Sequence, residues 1–239
     1  FRNLSAHYQD RQWTHVISPF KIPDHWQIFC GYDHGYSRPF ATIWAAMAPE
    51  ERRGAGSRMY IIKEYYGCTG TPNEGVKMEP ARIADEIKRI EDADPNLKGK
   101  KIIRVGDPAI WGSQTGESVG TMMERQRVYF EKGDNNRLAG KMQIHHRLSF
   151  NEDGVPMLYF FNNCRHMIRT LPELVYDERA GHPEDIDTIG EDHLYDALQY
   201  LCQRNPITQP VIPAEKVKEF DPLSNDKPVL DKYEFYRRF

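Results

Sequence analysis

Between residues 27 and 66 the sequence holds three short blocks rich in Ile, Phe, Tyr and Trp, at 27–33, 40–47 and 58–66, parted by Gly, Pro, Ser and Arg. Such blocks predict strands, and short connections between them predict an antiparallel meander. The period then changes. Over 80–92, Ile83, Ala84, Ile87 and Ile90 share one helical face behind Pro80, which predicts an amphipathic helix. Residues 101–107, KIIRVGD, form a nearly unbroken apolar run suited to the middle of a sheet.

Weaker signals follow. They predict a short helix at 119–126, a strand at 128–131 and a helical stripe of Leu138, Met142, His145 and Leu148 within 135–149. A strand at 157–161 would be the second arm of a hairpin turning at 151–154, and 163–171 reads as a helix. The final predicted element is a helix over about 190–203. There Leu194, Ala197, Leu198, Leu201 and Cys202 make an apolar stripe, and Thr188 with Glu191 fits a capping box. Residues 1–26 are polar and irregular but carry aromatics able to pack on a body. The stretch after Cys202 holds five prolines and no periodicity. The expected organisation is a lead-in (1–26), one domain (27–203) and a Pro-rich tail (204–239).

Composition narrows the partners. With 32 Lys+Arg against 35 Asp+Glu the net charge is −3, so phosphate contact would need a local patch rather than a basic coat. The chain is long enough to bury roughly 70% of its unfolded surface without disulfides. Cys30, Cys68, Cys164 and Cys202 form no CxxC pair, which argues for reduced thiols over a zinc ribbon or redox motif. No apolar run approaches the length of a membrane span, and no secretory signal opens the chain. It begins at Phe1, so a fragment or processed product is expected.

Acidic residues close the buried elements. Asp33 ends the first strand block within GYDHG, and Asp107 ends the apolar run within VGDP. Asp196 lies on the last helix, with Asp192 and His193 four and three residues before it on the same face. Residues 180–203 hold Glu184, Asp185, Asp187, Glu191, Asp192 and Asp196, and no Lys or Arg. Gathered carboxylates repel one another, and a hard divalent cation relieves that repulsion. All-oxygen ligation favours Mg²⁺ or Mn²⁺.

The runs GYDHG, VGDPAIWG, NCRHMIRTLPELVYDE and EDIDTIGEDHLYDALQY, with the 135–148 segment between the second and third, resemble in order the nuclease domain of tailed-phage large terminases. The resemblance implies an α/β, ribonuclease-H-like mixed central sheet, an antiparallel meander plus parallel strands, flanked by helices. It further implies an endonuclease that cuts concatemeric double-stranded viral DNA during packaging, through two metal ions; little sequence preference is expected, since nothing in the residues suggests base-specific readout. Carried over, Asp33 would bridge the two ions, and Asp107 and Asp196 would be further ligands, with His193 or Asp192 as an additional one. The family's ATPase motif, GxxxxGK[ST], does not occur in this chain. In the family's setting the partners would be the portal and the small terminase subunit, in the cytoplasm of an infected bacterium, with the isolated fragment monomeric.

For the DNA surface the sequence offers Arg125, Arg127, Lys132, Arg137, Lys141, His145 and Arg147, with Lys100, Lys101 and Arg104 beside the second acidic strand. Other enzymes of the same fold, such as a resolvase, transposase or ribonuclease H, remain open on these residues. So do an actin-like ATP-binding fold, which would need two lobes, and a module that docks on the portal through its tail.

Overall fold

The chain is described here from a computed structural model, over residues 15–50, 56–112, 116–149, 155–175, 186–187 and 190–207. Its β-branched and aromatic blocks form a sheet, seven-stranded among the described residues, in the order β1-β7-β4-β3-β2-β5-β6. The strands are β1 (Val16–Ile17), β2 (Gln27–Asp33), β3 (Ala41–Met47), β4 (Met59–Tyr66), β5 (Ile102–Gly106), β6 (Glu131–Lys132) and β7 (Leu158–Phe161). The helices are α1 (Pro80–Ala93), α2 (Val119–Arg125), α3 (Arg137–Leu148), α4 (Arg165–Thr170) and α5 (His193–Arg204).

The expected meander is present: β2 pairs antiparallel with β3, and β3 with β4. The apolar run becomes β5, parallel to β2, with Ile28 opposite Ile102 and Tyr32 opposite Gly106. Strand β3 is buried along its whole length, as befits its central place.

Strand direction splits the sheet's two faces. Trp44 donates its indole N–H to Glu91 of α1 at 3.0 Å, so the face shared by Trp44 and its partner Cys30 looks toward α1. Gly31 and Asp33 alternate with Cys30 and look the other way. There α5 packs, with Leu194, Ala197, Leu198, Leu201 and Cys202 all buried, as their spacing predicts. All four cysteines are free thiols. No helix among the described residues is long and apolar enough to cross a membrane.

Four expectations are corrected. The strand expected at 128–131 is the short β6, because Gln126–Val128 is taken up by the turn that ends α2, with Arg127 at φ 62°. Strand β7 is not a hairpin arm: it pairs in parallel with β4 and β1 and follows α3, while the turn at 151–154 lies outside the described residues. Helix α3 turns a different face inward. Leu138 and Met142 are exposed, whereas Gly140, Lys141, Ile144 and Arg147 are buried, because Gly140 admits Gln199 of α5 and Arg147 donates to the carbonyls of Ser57 and Asn205. Lastly, α5 starts at His193 with Asp192 as its cap residue, and Glu191 is instead held by Arg169 and Tyr66. Thr188 lies outside the described residues. Within the lead-in, β1 pairs with β7 and Trp26 packs on Tyr60 at 5.2 Å between ring centroids.

Candidate active site

Parallel pairing of β2 with β5 puts the ends of both strands, and hence Asp33 and Asp107, at one edge of the sheet. The register is closed by the Asp107 N–H, which donates to the Tyr32 carbonyl at 2.9 Å. Asp107 also caps the single 3₁₀ turn at Pro108–Trp111, accepting from the Ala109 N–H at 2.8 Å.

Gly31 brings the third carboxylate to this edge. A Cβ there would press into the Ala197 carbonyl and stand 2.9 Å from Leu201 Cγ, so only glycine lets α5 lie this close on β2. Asp33, two residues on and on the same face, then meets the first turn of α5. His193 Nδ1 stands 3.1 Å from Asp33 Oδ2, and Asp196 lies one turn further along the helix.

A hydrogen-bond chain fixes the imidazole. Asn73 donates its Nδ2 to the Gly190 carbonyl at 3.1 Å, which turns Asn73 Oδ1 toward His193 Nε2, also at 3.1 Å. The Nε2–H therefore donates to Asn73. The neutral ring then offers only a lone pair at Nδ1, so the Asp33–His193 pair shares one proton between them. The electrostatics agree. Burial, reinforced by Asp107 and Asp192, pushes the Asp33 carboxyl well above the ordinary range, and burial holds the His193 imidazole below its own.

Asp196 is raised for the same reasons, burial first and then the charges of Asp33 and Asp192, and burial also raises Asp192. Arg137 opposes them by direct contact. From the start of α3 it donates from Nη1 to Asp196 at 3.0 and 3.3 Å, and its Nη2 stands 3.7 Å from Asp192. Burial raises the Tyr200 hydroxyl, one turn past Asp196, and the charges of Asp107, Asp33 and Asp196 raise it further, Asp107 most among them. The Tyr200 ring is seated against Gly133, where a Cβ would stand 2.6 Å from ring carbon Cδ1.

The three aspartates singled out in the sequence thus reach one edge, with His193 and Asp192 beside them. Among the described residues no three His, Cys, Asp or Glu side chains yet surround a common point. Arg137 holds part of that space. The donor chemistry nevertheless fits a hard divalent cation: burial and then neighbouring carboxylate charge push Asp33 and Asp196 up, and the Arg137 guanidinium leaves them undercompensated. Coordination by all three would require Asp196 to turn away from Arg137.

The basic residues scatter. Arg137 sits at the carboxylates, and Lys132, at the end of β6 beside Gly106, lies over the Trp111 ring at 5.5 Å. Lys100 and Lys101 precede β5 and so lie at the far edge of the sheet. Lys100 is turned to the Pro23 carbonyl and Asp24. Arg104 is paired with Glu91 on the α1 face, and Arg147 and Lys141 are buried. Arg125 pairs with Glu117, Arg127 is exposed in the turn after α2, and His145 is half-buried near the end of α3. The cations proposed from sequence therefore form no continuous track. Asn73 and Arg38, which acts on both Asp192 and His193, were not legible there; PNEG around Asn73 signals a turn and nothing more.

No family model matches the sequence, and no curated protein matches it. Solved structures do match the fold. The large terminase of a thermophilic bacteriophage aligns with TM-score 0.58 and 20% identity, over 86% of this chain and 45% of its own. The P22 large terminase nuclease domain aligns with TM-score 0.56 and 15% identity, over 80% of this chain and 87% of its own. The fold is that of the large-terminase nuclease domains. The large terminase nuclease of thermophilic phage G20c aligns at TM-score 0.50 and 10% identity, over 82% of this chain and 95% of its own. The chain spans less than half the length of the first of these terminases, and matches the extent of a nuclease domain more nearly than that of a whole terminase.

Proposed function

We propose that this chain is a divalent-metal-dependent DNA endonuclease that cuts double-stranded viral DNA during genome packaging. The observation that carries the reading is the arrival of Asp33, Asp107 and Asp196, from β2, β5 and α5, at one edge of a terminase-nuclease-like sheet. Support for a metal comes from burial and neighbouring carboxylate charge, which raise Asp33 and Asp196, and from a solved G20c nuclease structure with bound cobalt.

Asp33, Asp107 and Asp196 would hold Mg²⁺ or Mn²⁺, as a pair of ions, with His193 or Asp192 adjoining. Such ions activate water and stabilise the leaving oxygen of an in-line displacement at phosphorus. The protein's share is positional. Tyr200 and the Ala109 N–H orient Asp107, Asn73 and His193 orient Asp33, and Arg137 keeps Asp196 and Asp192 together until they are engaged. With no side-chain nucleophile required, DNA, the portal and the small subunit are the expected partners, in the cytoplasm of an infected bacterium.

The test is supercoiled plasmid incubated with the purified chain in EDTA, Mg²⁺ or Mn²⁺, beside Asp33→Asn. Nicking and linearisation that need the metal and vanish in the variant are expected. Cleavage that persists in EDTA, or in Asp33→Asn, would exclude this site.

A further inference from the structure

Two loops close over the His193 side of the site. Residues 34–39 leave β2, residues 67–77 leave β4, and their backbones are stitched together: Gly75 N–H donates to the Ser37 carbonyl at 2.8 Å, Lys77 N–H to Tyr36 at 3.2 Å, and Gly67 N–H to Phe40 at 2.9 Å. Glycine makes the stitching possible. A Cβ at Gly35 would stand 2.7 Å from the Pro39 carbonyl carbon, and one at Gly75 2.6 Å from that of Arg38. The pair of loops is therefore a fixed lip.

The lip has two sides. Inward, it delivers Asn73 to His193. Outward, it shows Arg38 and Lys77, both exposed, together with Tyr36 and Val76, which are 46% and 39% exposed. Arg38 is close enough to act on Asp192 and His193, and no carboxylate among the described residues is paired with it or with Lys77. The lip's own acid, Glu74, is turned to the Thr69 hydroxyl at 2.9 Å. Asn73 and Lys77 both sit at positive φ, 61° and 53°, a conformation uncommon for lysine and concentrated at functional sites. Fixed cations beside an exposed aromatic, next to buried carboxylates, suit one ligand chemistry: a phosphodiester backbone, held by charge and by contact with its sugars.

We infer that the 34–39/67–77 lip is the duplex-DNA docking surface of this site, with Arg38 and Lys77 gripping phosphates that flank the bond to be cut and Tyr36 packing on the sugar between them. The inference rests on the nuclease reading but names residues that reading does not need.

The experiment measures binding of a fluorescein-labelled duplex of about 30 base pairs by anisotropy, in EDTA and again in Ca²⁺, across a salt series. Each lost phosphate contact lowers the log K against log salt slope by about 0.9, so Arg38→Ala/Lys77→Ala should lower it by about 2 and weaken binding about 10-fold or more. The charge-preserving pair Arg38→Lys/Lys77→Arg should restore most of the affinity, and Lys88→Ala, on α1 across the sheet, should change nothing. Melting temperatures should coincide, since the truncated side chains are exposed. An unchanged slope in the double alanine variant overturns the lip while leaving the nuclease reading standing. An equal loss in Lys88→Ala overturns it too, by making the effect one of net charge. If the unaltered chain binds no duplex in either condition, the lip is overturned, and the plasmid assay decides the nuclease reading separately.

Discussion

Arg137 Nη1 stands 3.0 Å from Asp196 Oδ1, so a cation of the protein's own occupies the flank of the carboxylate cluster. Its loss should be felt most when no metal is present. Arg137→Gln should lower metal-free stability by about 1–3 kcal/mol, the range for stripping a partner from a largely buried charged group. Added Mg²⁺ or Mn²⁺ should raise the variant's melting temperature more than the unaltered chain's. Thermal melts with and without metal check both points, and equal metal-induced shifts would remove Arg137 from competition for these oxygens.

The carboxylates set a pH dependence with a definite sign. Asp33, Asp192 and Asp196 are raised from their ordinary 3.8, so the folded chain keeps protons that the unfolded chain has released. Their contribution to stability therefore falls as pH rises above about 4 through the raised values. His15, His34 and His193 are lowered from 6.5 by burial and act oppositely, losing stability as pH falls below that value. In EDTA, Asp33→Asn should gain on the unaltered chain as pH rises from about 5 to about 8, and divalent metal should flatten the difference. Metal uptake should also release protons, read by calorimetry in buffers of different ionisation enthalpy.

Tyr200 is expected to act through Asp107. Tyr200→Phe keeps the ring against Gly133 but removes the hydroxyl from the carboxylate. Metal affinity should fall about 10-fold, in line with losses of groups that orient ligands, while the fold is kept. Titration with Mn²⁺ followed by calorimetry reads the affinity, and an unchanged value would reduce Tyr200 to packing.

Gly31→Ala tests how α5 is seated. The added methyl meets backbone at Ala197 as well as the Leu201 side chain, so neither a rotamer change nor a small shift accommodates it. A cost of about 1–3 kcal/mol is expected from overpacking, with loss of metal binding as Asp196 moves off Asp33. Urea unfolding beside metal titration separates the two effects.

The elements that set the site were legible in the sequence because each has a strong local signal. Strand β2 matches its predicted bounds, and β5 and α1 fall within a residue of theirs, since apolar blocks and a helical face need no tertiary knowledge to read. Helix α3 was misread because its inward face is decided by what it meets: a glycine admitting Gln199 and an arginine satisfying two carbonyls outweigh Leu138 and Met142. The cations scatter for a related reason. Sequence counts charge but not its destination: Arg147 is buried, and Arg104 is turned to Glu91 on the α1 face. The meeting of the aspartates is legible because Asp33 and Asp107 end paired parallel strands and Asp196 stands in the first turn of the helix packed on them, whereas Asn73 arrives by a turn whose aim nothing local records.

Helix α3 touches two distant places with its two ends. At one, Arg137 meets Asp196; at the other, Arg147 grips the Asn205 carbonyl, and from between them Gln143 clasps Ile207 through both its donor and its acceptor, at 3.2 and 2.8 Å. Twelve residues of helix make a rod about 18 Å long. The chain leaving α5 is thus moored to the same stiff beam that holds the carboxylate edge, and a force that tilts the beam at its mooring must also lift the guanidinium from Asp196.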